Sequence, residues 1–114
     1  MDSDDRTTIG LTPENKDILE QIMSNFNEKG DAAKFAMAIA IERGVEPGET
    51  ENTETVWNVG SFDPDRELQD LVLALYPSED APYSSVEHFV NQGIQLVDQH
   101  LSENKDLDII NFVQ

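Results

Sequence analysis

A chain of 114 residues has room for one domain with a single core, and no apolar run in it approaches the ~20 residues of a membrane span. Cysteine is absent, which removes disulfides, thiol catalysis and thiolate metal sites together. The net charge is -17, and it is uneven: residues 1–44 set five bases against nine acids, whereas residues 45–114 set two bases, Arg66 and Lys105, against fifteen. Such a surface repels nucleic acid and anionic membrane, and solubility or adaptation to high salt accounts for it as well as an acidic binding role does.

The opening MDSDDR is acidic, unlike a secretory or basic transit signal, so the expected setting is cytoplasmic, with residues 1–5 a disordered acidic lead. Residues Arg6 to Thr12, RTTIGLT, alternate: Thr7, Ile9 and Leu11 share one face, Arg6, Thr8 and Gly10 the other. This is a short strand with no partner nearby in sequence. It must pair with a distant segment or with its own copy in a second chain.

Thr12-Pro13 is a helix start, a capping hydroxyl followed by proline at the first helical position. Ile18, Leu19, Ile22, Met23 and Phe26 then mark an amphipathic helix from Pro13 to about Phe26. Asn27 to Gly30 is a turn. It leads into DAAKFAMAIAIERG, residues 31–44, where Asp31 can cap a helix and Gly44 stands where a left-handed C-terminal glycine belongs. Phe35, Met37, Ile39 and Ile41 keep to no single stripe, and alanines fill the gaps. A helix apolar all round must be covered on most sides, which in so short a chain points to a second subunit.

In order and spacing, RTTIGLTPENKDILEQIMSNFNEKGDAAKFAMAIAIERG resembles the ribbon-helix-helix family. The resemblance implies a homodimer in which two strands pair as a ribbon whose outward residues enter the DNA major groove. Carried over, the DNA-contact candidates are Arg6, Thr8 and Gly10 on the ribbon and Lys29 at the turn before the second helix. The dimer core would be Ile9, Leu11, Phe35, Met37, Ile39 and Ile41. Only Arg6 of the ribbon positions is basic, and Asp31 sets a negative charge where a phosphate would bind, so DNA contact stays open.

Val45 to Glu54 is an acidic exposed loop, and Thr55 to Phe62 an extended segment around Trp57, a core or lid residue. Asp63-Pro64 repeats the cap-plus-proline start, with Leu68, Leu71, Val72 and Leu75 on one side of a helix that ends before Pro77. Ser84 and Glu87 form a capping box opening a last helix whose apolar face is Val86, Phe89, Val90, Ile94, Val97 and Leu101. Gly93, in mid-helix, implies a close backbone contact. The tail, with Leu107, Ile109, Ile110, Phe112 and Val113, is too hydrophobic to be free and docks on this chain or a partner.

Candidate chemistry is sparse. His88 and His100 lie twelve residues apart, too far to share a metal, and read as a surface residue beside Glu87 and a residue at a helix C-terminus. Ser84 and Ser85 are capping residues before they are nucleophiles, and Gly44, Gly48 and Gly60 form no phosphate-binding pattern. No catalytic residue, metal or cofactor is expected. The chain as a whole, from the alanine-rich helix through Trp57 and LQDLVLAL to VEHFVNQGIQLVDQHL, resembles small proteins associated with Dnd (DNA phosphorothioation) phage-defence systems, with Val90 to Gly93 close to a motif of their last helix. That resemblance implies an accessory role and no catalytic residue.

The expected fold is a single, mainly α domain. A ribbon-helix-helix-like strand-helix-helix over 6–44 dimerises, and a short extended segment and two more helices follow over 55–114. The expected function is that of a non-enzymatic accessory or regulatory protein of a DNA-directed (modification or restriction defence) system, working through protein contacts, with weak DNA contact left open. The alternatives are a DNA-binding repressor or antitoxin, or an acidic protein that occupies a basic surface of a partner.

Overall fold

The computed structural model describes residues 5–22 and 26–104. Within them the chain is mainly helical with one small antiparallel sheet: β1 (Thr8–Leu11), α1 (Pro13–Ile22), α2 (Lys29–Glu42), β2 (Glu54–Asn58), α3 (Val59–Phe62), α4 (Glu67–Leu75) and α5 (Pro82–Asn104). Met23 and the apolar tail residues 107–113 lie outside the described residues. The organising element is α5, which packs against α2, β1, α4 and α1. Val86, Phe89, Val90, Ile94 and Val97 of α5 are buried at the centre of the core.

Local chemistry explains most of the helix ends. The Thr12 hydroxyl accepts the Asn15 N–H (3.2 Å), so Thr12-Pro13 starts α1 as expected. The helix described from there runs to Ile22, and Phe26 falls in the turn beyond it. The second helix begins at Lys29, with Glu28 rather than Asp31 at its cap position. It ends at a left-handed Gly44 (φ 83°), where the Val45 N–H reaches the Ala40 carbonyl and the Gly44 N–H reaches that of Ile41. These are the paired bonds of a glycine C-cap.

The last two helices begin differently from expectation. Asp63 is followed by a turn, and α4 opens only at Glu67 after a left-handed Arg66. The Asp63 carboxylate still serves the helix, accepting the N–H groups of Leu68 (3.0 Å) and Gln69 (3.1 Å). In α5 the first residue is Pro82, two positions before the expected capping serine. The amides of Tyr83 and Ser84 are met instead by the carboxylate of Asp5 (3.1 and 2.9 Å), which tethers a residue of the expected disordered lead. With no capping side chain at Ala81, a distant carboxylate does the work.

The N-terminal third also departs from expectation. β1 pairs antiparallel with β2 of the same chain, Ile9 opposite Trp57 and Leu11 opposite Glu54, with a register shift between Ile9 and Gly10. Its other edge is met by side chains of α5, described below. One edge of β1 is thus paired within the chain, which is the distant-segment alternative for residues 6–12, and on the other edge Gly10 and Thr12 are met by α5. The expected extended segment 55–62 is half strand and half helix, with Trp57 on the Phe62 ring (4.8 Å between centroids).

Nor does α2 need a second copy of itself to be buried. Ala32, Ala33, Ala36, Met37, Ile39 and Ala40 are buried, Phe35 and Ile41 half-buried, and the exposed positions Asp31, Lys34, Ala38 and Glu42 recur at helical spacing. Its alanines let neighbouring helices approach closely, so a small core covers it. The six residues proposed for a dimer core, Ile9, Leu11, Phe35, Met37, Ile39 and Ile41, all lie in or against the core of the single chain.

Candidate functional site

The densest group of buried polar side chains lies where α5 runs beside β1 and α1. Glu87 and Asn91, both buried, and the exposed Gln95 recur every four residues and so share one face of α5. Glu87 takes the place of a neighbouring strand: its Oε2 accepts the Gly10 N–H (2.8 Å) and the Thr53 hydroxyl (3.4 Å). Asn91 continues the edge. Its Nδ2 donates to the Gly10 carbonyl (3.0 Å) and the Glu87 carbonyl (2.8 Å), and its Oδ1 accepts the Thr12 N–H (3.1 Å) and Asn15 Nδ2 (2.8 Å). Gln95 donates to Asn15 Oδ1 (2.6 Å). Every donor and acceptor of the Asn91 amide is satisfied, which is what burial of an amide requires.

Glu87 is less fully satisfied. Its side chain is 2% exposed, and Oε1 makes no hydrogen bond; the nearest cation is Arg6, whose Nε lies 3.4 Å away. Burial pushes the carboxyl above the usual range, an effect opposed by the Gly10 N–H, Arg6 and Thr53 and reinforced by Glu49. Arg6 also reaches the Thr50 carbonyl (3.4 Å).

A second set of contacts ties the acidic loop 45–53 to α5. The Thr50 hydroxyl meets His88 Nδ1 (3.0 Å), and Ser84 Oγ donates to the Gly48 carbonyl (3.5 Å). Burial holds the His88 pKa below its ordinary value, countered by a bond to the Glu49 backbone. Tyr83, whose hydroxyl donates to Asp63 (2.9 Å), is pushed up to about 12 by burial and then by the Asp63 bond and charge.

Chemically this group is a clasp. The Thr50–His88 contact has the form of a nucleophile and a base, but the ring is also held by the Glu49 backbone and stands against Gly48. Among the described residues no carboxylate hydrogen-bonds that ring as the orienting third group of a triad would. Among the described residues no group of three or more His, Asp or Glu side chains could hold a metal, and no helix is long and apolar enough to cross a membrane.

The DNA-contact candidates do not form one face. Arg6 is turned to Glu87, Gly10 is buried with the Glu54 carbonyl 2.7 Å from where a Cβ would stand, and the Thr8 hydroxyl accepts that of Thr55 (3.3 Å). Lys29 pairs with Glu20 across α1 and α2 (3.2 Å). The histidines are apart as expected, but Glu87 is buried instead of forming a surface pair with His88. His100 lines an open depression of about 170 Å³ with Arg43, Leu96 and Gln99.

The spacing of Glu87, Asn91 and Gln95 was the available signal for the clasp: a polar line running beside the apolar stripe of a core helix. No family model, curated protein or solved structure matches the chain.

Proposed function

We propose that this protein is a non-enzymatic binding module that occupies a basic surface of a partner protein. The observation that carries the reading is where its cations are spent. Arg6 faces Glu87, Lys16 pairs with Glu54 (2.9 Å), Lys29 pairs with Glu20, and Lys34 stands 5.3 Å over the Phe62 ring. The acids outnumber them more than threefold, and between residues 45 and 104 Arg66 is the only Lys or Arg. The long-range field outside the molecule is therefore strongly negative, which steers cationic partners and rejects phosphate backbones. The resemblance to Dnd-associated proteins suits a partner whose basic surface otherwise holds DNA, and so an accessory or regulatory role in such a system.

The test compares two probes by fluorescence anisotropy across a salt series: a lysine-rich peptide and a short DNA duplex. The expected result is peptide affinity that falls as salt rises, with no duplex binding. Duplex binding that weakens on Arg6→Ala would overturn the proposal in favour of the repressor or antitoxin reading.

A further inference from the structure

Among the described residues the large hydrophobic side chains left exposed are Leu71 (42%) and Leu75 (46%), one turn apart on α4. They occupy part of the face that had been expected to be buried with Leu68 and Val72. At 100° per residue, Leu71 and Leu75 form one edge of the outward face of α4, Ala74 and Glu67 its middle, and Asp70 the other edge. Glu67, Asp70 and Ala74 are all exposed. The face therefore sets an apolar ridge beside an acidic one on a single helix.

The helix presenting this face is held at both ends. Asp63 caps its first turn, Val72 is buried under its middle, and Tyr76, just past its last turn, stacks on Phe89 of α5 (6.0 Å). The face is a fixed surface and not a frayed one. Its charge selects among occupants. A second copy would bring Glu67 and Asp70 against like charges, and the chain's own residues 105–114, KDLDIINFVQ, carry two aspartates against one lysine. Neither complements the acidic edge. A helix with a leucine-type ridge flanked by lysine or arginine complements both edges at once.

We infer that the outward face of α4, Leu71 and Leu75 beside Glu67 and Asp70, is the docking surface for a cationic amphipathic helix of the partner protein. This rests on the acidic-module reading and locates it. The probes are two synthetic peptides of about four helical turns. One alternates leucine and lysine at i, i+3, i+4 spacing; the other has the same lysines and serine in place of leucine. Binding is measured by titration calorimetry with the full chain, with Leu71→Ser/Leu75→Ser, and with Glu67→Lys/Asp70→Lys. All four positions are exposed, and circular dichroism checks that the variants fold.

The leucine-lysine peptide is expected to bind the full chain and to lose roughly tenfold in affinity with either double variant, a loss of about 1.4 kcal/mol. The serine-lysine peptide is expected to bind more weakly and to ignore the leucine change. If both peptides bind and neither responds to Leu71→Ser/Leu75→Ser, the surface is elsewhere and only the acidic-module reading stands. If neither binds, that reading falls as well. Loss of a dimer on the leucine change, or movement of the Leu71 and Leu75 methyl signals on removal of residues 105–114, would assign the face to a second copy or to the chain's own tail and overturn the inference.

Discussion

The two sides of α5 hold their neighbours by different means. Toward α2 the contact is one of shape: Gly93 lies against the backbone of Ala36, so close that a Cβ on Gly93 would strike the Ala36 carbonyl, and Ala32, Ala33 and Ala40 are buried around it. Toward β1 and α1 the contact is one of hydrogen bonds, with Glu87 and Asn91 standing in for a strand along the edge of β1. The first side gains from close packing and dispersion and carries no polar obligation. The second gains specificity of register, since Gly10 and Thr12 must meet particular oxygen and nitrogen atoms, and risks a large loss if any partner is removed.

The shape contact is the less forgiving of enlargement. Gly93→Leu is expected to prevent folding. Gly93→Ala is expected to cost about 3 kcal/mol, because the atom struck is backbone and the two helices must separate. For a chain of this size that lowers the melting temperature by roughly 15 °C, read by circular dichroism. A melting temperature that does not fall would mean that the helices part without loss, and the contrast between the two sides would disappear.

The hydrogen-bonded side is probed by a change that keeps shape and alters chemistry. Asn91→Asp retains an acceptor for Thr12 and Asn15 but turns an oxygen toward the carbonyls of Gly10 and Glu87, where the amide had donated. The expected cost is about 3 kcal/mol by urea unfolding. A cost below about 1 kcal/mol would show that the seam tolerates an unmatched group and is not what fixes β1.

Within the seam, Glu87 and Arg6 form the weakest link. Arg6→Ala strands a buried carboxylate, and with the Arg6 side chain 34% exposed the expected loss is about 2 kcal/mol, less than for a fully buried pair. Adding Glu87→Gln should recover more than half of that loss, because a neutral amide still accepts the Gly10 N–H without carrying a charge. If the double variant is no better than Arg6→Ala alone, Arg6 acts through its contact with the Thr50 carbonyl and not through Glu87.

These two sides also differ in how far the sequence revealed them. Gly93 announces a close approach because glycine in a helix is unfavourable without one, and the apolar stripe of α5 is plain at its own period. Thr12-Pro13 and Gly44 are legible for the same reason, since a cap is chemistry between residues a few positions apart. The seam is not local. Glu87 three residues after Ser84 fits a capping box, and only the three-dimensional return of β1 shows that it faces Gly10, 77 positions away. Asp5 as the cap of α5 has no local sign at all. The apolar look of α2 misled in a different way: alanine counts as hydrophobic but needs little cover, and the outward line Asp31, Lys34, Ala38 and Glu42 is hidden among eight apolar neighbours. The exposed pair Leu71 and Leu75 shared a helical period with Val72, so periodicity alone could not separate a docking edge from a buried one.

The smallest effect sharpens the seam by pH. The folded pKa of His88 lies below its ordinary 6.5, so its contribution to stability is complete above that value and is lost as pH falls through it toward the folded pKa. Glu87 has the opposite sign. Its folded pKa lies above 4.5, so its contribution is complete below 4.5 and is lost as pH rises through the raised value. On acidification the two groups therefore act in opposite directions: protonation of His88 lowers stability and protonation of Glu87 raises it. Urea midpoints measured from about pH 7.5 down to about pH 4.5 should show the two contributions superposed on the general decline of stability as carboxylates protonate. His88→Asn, whose amide oxygen can still accept the Thr50 hydroxyl, should make the decline shallower. Glu87→Gln should make the decline steeper. If instead Glu87→Gln leaves the slope of the curve unchanged, the buried carboxylate is not titrating in this range, and the Arg6 contact holds it charged more firmly than its 3.4 Å separation implies.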